Sequence, residues 1–195
     1  MRPPLTLVGT MSNDGTSRVP YITAKEQLSD DWHDHYDRIA ASRGHVRGPF
    51  SVLMNSPEVA TRIADVGTHV RFEGTLPGPV RELAIITTAR ELDCAYEWAI
   101  HEPLAREEGV ADDTIDIVAA RAPTDPLPAV DALVVRYGRA LFRENEVPES
   151  LFRSARDRLG VEGITELTVT FGYYSMLACV LNAFAVDPGE SIEQW

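Results

Sequence analysis

The stretch Pro77-Gly78-Pro79-Val80-Arg81-Glu82-Leu83-Ala84-Ile85-Ile86-Thr87-Thr88-Ala89 opens on residues that start helices and continues with apolar residues at helical spacing. Proline fits the first turn of a helix, where its missing N–H would have had no intrahelical partner. Leu83, Ile86 and the apolar residues around them then recur at intervals of three and four through Ala89, the signature of a helix rather than a strand. The pattern carries on past a kink expected near Leu92-Asp93 and reaches Glu108-Gly109. Upstream, a helix is predicted over Ala24–Ala41, with Leu28, Trp32, Tyr36 and Ile39-Ala40 on its apolar face, and Gly44 to Pro49 breaks it. Ser56-Pro57-Glu58 combines a capping serine, a first-turn proline and an early acid, so another helix begins there and runs through Val59, Ile63, Val66 and Val70 to near Gly74. Downstream, helices are predicted over Asp112–Ala120, Ala129–Asn145, Pro148–Leu159 and Gly163–Val186, with a proline-rich connector from Ala122 to Pro128. Alternating apolar runs bounded by hairpin turns are almost absent. About eight helices with short turns predict an all-α fold, a helical bundle.

The chain has 195 residues, of which 44% are hydrophobic and 25% charged, enough for one domain with a substantial core. A single helical domain is predicted over 21–195, preceded by a flexible tail or subunit-wrapping arm over 1–20. The net charge is −12, from 30 acids against 18 bases; phosphate backbones would repel such a surface, so nucleic acid is not an expected partner. The N-terminal apolar run is too short and proline-broken for a secretory signal. No run approaches the roughly 20 apolar residues of a membrane span. Two cysteines far apart, Cys94 and Cys179, are no disulfide framework, and a cytoplasmic location is expected.

The densest reactive segment is Glu91-Leu92-Asp93-Cys94-Ala95-Tyr96-Glu97-Trp98-Ala99-Ile100-His101. At about 100° per residue, Cys94, Glu97 and His101 share a helix face roughly 60° wide, and Glu97 and His101, four apart, can touch. Glu91 joins that side if the helix continues through Asp93. If a helix instead starts at Cys94, Asp93 could cap it, and the helix N-terminus would favour a thiolate. A thiol, a carboxylate and an imidazole in mutual reach suit proton transfer near neutral pH, the carboxylate orienting the imidazole. Equally, such Glu–His pairs occur on solvated helix faces, and a cysteine near a helix start is often a small buried hydrophobe. His33 and His35, with Asp31 and Asp34, read as a solvated face rather than a metal site, because residues two apart on a helix diverge. A faint internal repeat pairs Glu82-Leu83 with Glu166-Leu167; Ser175, Ala178 and Leu181 would then stand where Glu91, Cys94 and Glu97 do.

The run from Pro79 to Ile86 and the run from Cys94 to Val110 resemble the core of the carboxymuconolactone decarboxylase family, whose superfamily includes the AhpD-like alkylhydroperoxidases. Arg47-Gly48-Pro49-Phe50, Ser56-Pro57-Glu58-Val59-Ala60 and Arg71-Phe72-Glu73 resemble its members too, so the likeness spans about residues 30 to 120. It implies an AhpD-like helical bundle assembled as a homo-oligomer, a trimer or hexamer. The peroxidase branch carries Glu-x-x-Cys-x-x-Cys-x-x-x-His. Here Glu91, Cys94 and His101 fall in register, but Glu97 stands at the second cysteine, so a local dithiol–disulfide cycle cannot close. The resemblance therefore implies a decarboxylase-like enzyme using no cofactor and no metal, acting on a small carboxylated lactone or enolisable acid. In this reading His101 is the general acid/base, Glu97 orients it, Glu91 assists and Cys94 lines the pocket. Arg71, His69 and Arg47 are candidates to bind an anionic small-molecule substrate. The alternatives are a thiol peroxidase using Cys94 and a non-catalytic oligomeric binding protein.

Overall fold

The computed structural model describes residues 17–188; the greater part of the expected N-terminal arm lies outside the described residues. Eight α-helices and no β-strands occur among the described residues, in agreement with the all-α expectation. They are α1 (His33–Arg43), α2 (Pro49–Leu53), α3 (Pro57–Thr68), α4 (Gly78–Glu91), α5 (Ala95–Glu107), α6 (Asp112–Ala119), α7 (Ala129–Glu144) and α8 (Glu149–Phe184). The chain divides into two compact units, one holding residues up to Phe72 with Cys179–Asp187, the other Glu73–Ala178.

In the first unit the helix expected over Ala24–Ala41 is replaced by two short 3-10 turns, Lys25–Gln27 and Asp30–Trp32, before α1. Gln27 explains the irregular start. Its side-chain oxygen accepts the N–H groups of Thr23 and Ala24, both at 2.8 Å, and ties the chain into a local turn instead of a longer helix. Gly44 at φ 77° ends α1, a left-handed conformation that suits glycine. Packing of α1 on α3 includes a hydrogen bond of 2.7 Å between His35 Nδ1 and Thr61 Oγ1. The Thr61 hydroxyl donates to the Pro57 carbonyl, so the imidazole N–H is the donor to Thr61. His33 reaches the Leu28 carbonyl through Nε2 at 3.2 Å; these two histidines engage protein rather than forming a solvated face. Ser56 makes no side-chain capping bond at the start of α3, although Pro57 begins that helix where predicted.

In the second unit, α4 packs on α5, α6 and α7. The core gathers Leu83 and Ile86 of α4, Trp98 and Ala105 of α5, Ile115 and Val118 of α6, Val134 and Tyr137 of α7, and Leu167 and Phe171 of α8. Gly138 permits the closest approach. A Cβ there would lie 2.5 Å from Phe171 Cε1 and 3.0 Å from Thr87 Cγ2, so only a hydrogen fits between these helices. The two helices predicted over Pro148–Leu159 and Gly163–Val186 form α8, which has one non-helical residue, Gly160, at φ 75° and ψ 176°. By length and composition α8 could cross a membrane, contrary to the expectation that no stretch comes close. Its Ile164, Leu167 and Phe171 nevertheless belong to the core of the second unit, the ordinary reason for an apolar helix in a folded domain.

Candidate active site

The turn between α4 and α5 decides what the reactive segment becomes. Helix α4 ends at Glu91, Asp93 takes φ 48°, and α5 begins at Ala95 with Cys94 as its N-cap residue. The Cys94 N–H closes back on the Ala89 carbonyl at 2.8 Å, turning α4 and α5 into a helical hairpin. Angular positions counted from Cys94 through a continuous helix therefore hold only from Ala95 onward. Asp93 does not cap α5: its carboxylate is paired with Arg90 at 2.7 Å and Arg121 at 2.9 Å.

Within α5 the four-residue spacing brings Glu97 Oε2 to 3.4 Å from His101 Nε2. The second partner of His101 comes from across the hairpin: Nδ1 lies 2.7 Å from Glu82 Oε2 on α4. All three side chains are buried, at 4%, 2% and 3% residual exposure for Glu97, His101 and Glu82. The Tyr174 ring of α8 meets the imidazole edge-on, with centroids 5.1 Å apart, and Tyr173 stacks edge-on against Tyr174. Imidazole, two carboxylates and a tyrosine thus share one buried locus inside the second unit.

The geometry fixes the tautomer. A carboxylate oxygen only accepts, so the short Glu82 contact places a proton on Nδ1. Nε2 then faces Glu97 Oε2, 3.4 Å away. Burial pushes the Glu82 carboxyl up, but the hydrogen bond and charge of His101, followed by the charge of Arg81, outweigh it and hold the group below its ordinary 4.5. Glu82 is therefore the anion that keeps His101 oriented. An imidazole anchored through one nitrogen by a carboxylate and facing a second carboxylate with the other is an arrangement suited to proton transfer.

The sequence marks Glu82 only as part of the weak repeat and of the run Pro79–Ile86. The signal was there: on a helical wheel Glu82 is flanked by Ile85, Ile86 and Ala89, three and four and seven residues on, all buried. An acid centred on an apolar face needs a partner. Its supposed counterpart Glu166 has a different role, accepting from the backbone N–H and hydroxyl of Thr75 at 2.7 and 2.8 Å. Glu91, predicted to assist His101, is directed elsewhere. It is held by Arg143 through two bonds of 2.6 Å and by Arg139 at 3.3 Å, because the break after α4 points it at α7. Cys94 is buried in the second unit, and Cys179, of the first, is exposed. Arg47, His69 and Arg71 all belong to the first unit. Arg47 and His69 are exposed there, and Arg71 lies with its guanidinium 5.2 Å from the Phe72 ring centroid.

Residues 57–147, from α3 through α7, match the model of the carboxymuconolactone decarboxylase family. A solved structure of an alkylhydroperoxidase AhpD core, an uncharacterized peroxidase-related protein from Ralstonia eutropha JMP134, superposes with a TM-score of 0.74 at 18% identity, covering 92% of this chain and 95% of that one. An uncharacterized peroxidase-related protein from Silicibacter sp. TM1040 gives 0.71 at 14% identity over 94% and 97%. A protein of unknown function from Agrobacterium tumefaciens gives 0.62 at 15% identity over 73% and 99%. The fold is AhpD-like. No curated protein matches the chain.

Proposed function

We propose that the protein is a decarboxylase-like acid–base enzyme that needs no cofactor and acts on a small carboxylated lactone or enolisable acid. The observation that carries this reading is the buried Glu82–His101–Glu97 set, with 2.7 Å on one side of the imidazole and 3.4 Å on the other. Loss of CO2 breaks a carbon–carbon bond and leaves its electron pair on the substrate, where a conjugated carbonyl takes it up as a dienolate. A proton from the His101–Glu97 pair then forms the new C–H bond, and solvent returns a proton to the pair. Glu82 stays ionised throughout and stabilises the imidazolium. Cys94 lines the pocket in this scheme, and Glu91 takes no part in proton transfer. The experiment is turnover of carboxymuconolactone and a panel of lactone and β-keto acids, followed by CO2 release. Full activity in His101→Gln or Glu97→Gln overturns the mechanism.

A second reading is favoured by the peroxidase-related names of the fold neighbours: a thiol peroxidase using Cys94. Peroxide consumption that is lost in Cys94→Ser and kept in Glu97→Gln would establish it instead. For anion binding in the first unit we keep Arg47, His69 and Arg71. Partial burial, then the charges of Arg47 and Arg71, lower the pKa of neighbouring His45, which fits a positive local field. Their neutral variants should weaken binding of a small carboxylate to the protein, read by isothermal titration calorimetry. A homo-oligomeric, cytoplasmic enzyme with a small anionic substrate completes the proposal.

A further inference from the structure

Glu82 divides its carboxylate between an imidazole and a guanidinium. Oε2 takes the His101 Nδ1 proton at 2.7 Å, while Oε1 lies 3.3 Å from Arg81 Nε. Arg81 in turn reaches out through Nη2 to Glu108 Oε1 at 3.3 Å. Glu108 caps the end of α5, and its carboxylate occupies the space that a side chain at Gly78 would need, beside the first residue of α4. The positive end of that helix favours an anion. Acidic and basic side chains alternate from rim to interior: Glu108, Arg81, Glu82, His101, Glu97. Exposure falls along the same line, from 43% at Glu108 through 17% at Arg81 to 3% at Glu82.

We propose that Arg81, anchored by Glu108, is a positioning residue that limits how tightly Glu82 holds the His101 proton and so keeps the imidazole able to release it. The inference rests on His101 being the acid–base group of the site. Two cations sharing one anion each weaken the other's attraction. Without the guanidinium, a carboxylate this deeply buried would be balanced by the imidazolium alone and would hold it harder. Among the described residues, charged and titratable groups that face the pair from the packed helices include Arg81 of α4, Glu97 of α5 and Tyr174 of α8. Arg139 and Arg143 of α7 are committed to Glu91, and Asp112 of α6 to Arg106.

The test is an NMR titration of the intact chain labelled at histidine, with the His101 signal identified by its loss in His101→Gln. In Arg81→Gln the His101 midpoint should move to higher pH, a roughly threefold or larger gain in proton affinity. Arg81→Lys, which keeps the charge, should return most of the shift even if the glutamine variant folds poorly. Arg156→Gln, the loss of an exposed positive charge of the same unit, should leave it in place. An unmoved midpoint in Arg81→Gln, a downward shift, or an equal shift in Arg156→Gln overturns the proposal. The measurement needs no substrate. A shift without any lactone or keto-acid turnover would therefore sustain the role of Arg81 while the proposed reaction fails.

Discussion

Replacing Glu82 by glutamine removes one charge from a buried site and almost nothing from its volume. The side chain loses an ionic contact to His101 at 2.7 Å and another to Arg81 at 3.3 Å, while the glutamine oxygen can still accept from Nδ1. Breaking one side of a buried ion pair costs about 3–5 kcal/mol, and retention of one neutral hydrogen bond recovers about 1 kcal/mol. The expected loss at pH 7 is therefore about 2–4 kcal/mol, or a urea midpoint lower by about 1–2 M at a slope of about 2 kcal/mol/M. The pH dependence is the sharper criterion. Because the folded-state pKa of Glu82 is depressed, its contribution is fully present above the ordinary 4.5 and is lost as pH falls through the folded-state value. The glutamine variant has nothing to lose there, so the gap between the two proteins should narrow below about pH 4.5. Equilibrium urea unfolding at pH 7, 5.5 and 4 measures this directly. A gap below about 0.5 kcal/mol at pH 7 would lie within the range of ordinary surface substitutions and refute the reasoning. A gap that stays constant down to pH 4 would show that the charge of Glu82 is not what stabilises the pair.

Other substitutions separate scaffold from chemistry. Glu91→Gln should cost about 1–3 kcal/mol by releasing Arg139 and Arg143 while leaving turnover intact; a drop in kcat without lost stability would return Glu91 to the chemistry. Gly138→Ala places a methyl group against Phe171 and Thr87, so it should destabilise by about 1–3 kcal/mol despite the better helix propensity of alanine. An unchanged or raised melting temperature would show that α7 can move aside. For His101→Gln, the proposed reaction should slow by about 10²–10⁴-fold, whereas Cys94→Ser should retain most of it; the reverse order in steady-state kinetics would favour the thiol reading.

Much of this molecule follows from local pattern. Helical spacing through Leu83, Ile86 and Ala89, the proline starts at Pro57 and Pro79, and the breaks near Gly44, Asp93 and Gly160 concern neighbours within one or two turns, and they fix the helices. The Glu97–His101 contact was equally legible, since residues four apart on one helix have no choice but to lie together. Where a side chain competes with the backbone, as Gln27 does ahead of α1, periodicity over-extends the helix. The remaining features depend on how helices pack. Glu82 is nineteen residues from His101, and only closure of the α4–α5 hairpin makes it the imidazole's second partner. The same closure directs Glu91 away to α7, where two arginines neutralise it. Tyr174 arrives from α8, far along the chain. The sequence alone thus specified an all-α chain with an imidazole and a carboxylate on one helix. Tertiary structure decided which carboxylate orients that imidazole, because burying a charge obliges the fold to supply its partner from wherever packing brings one within reach.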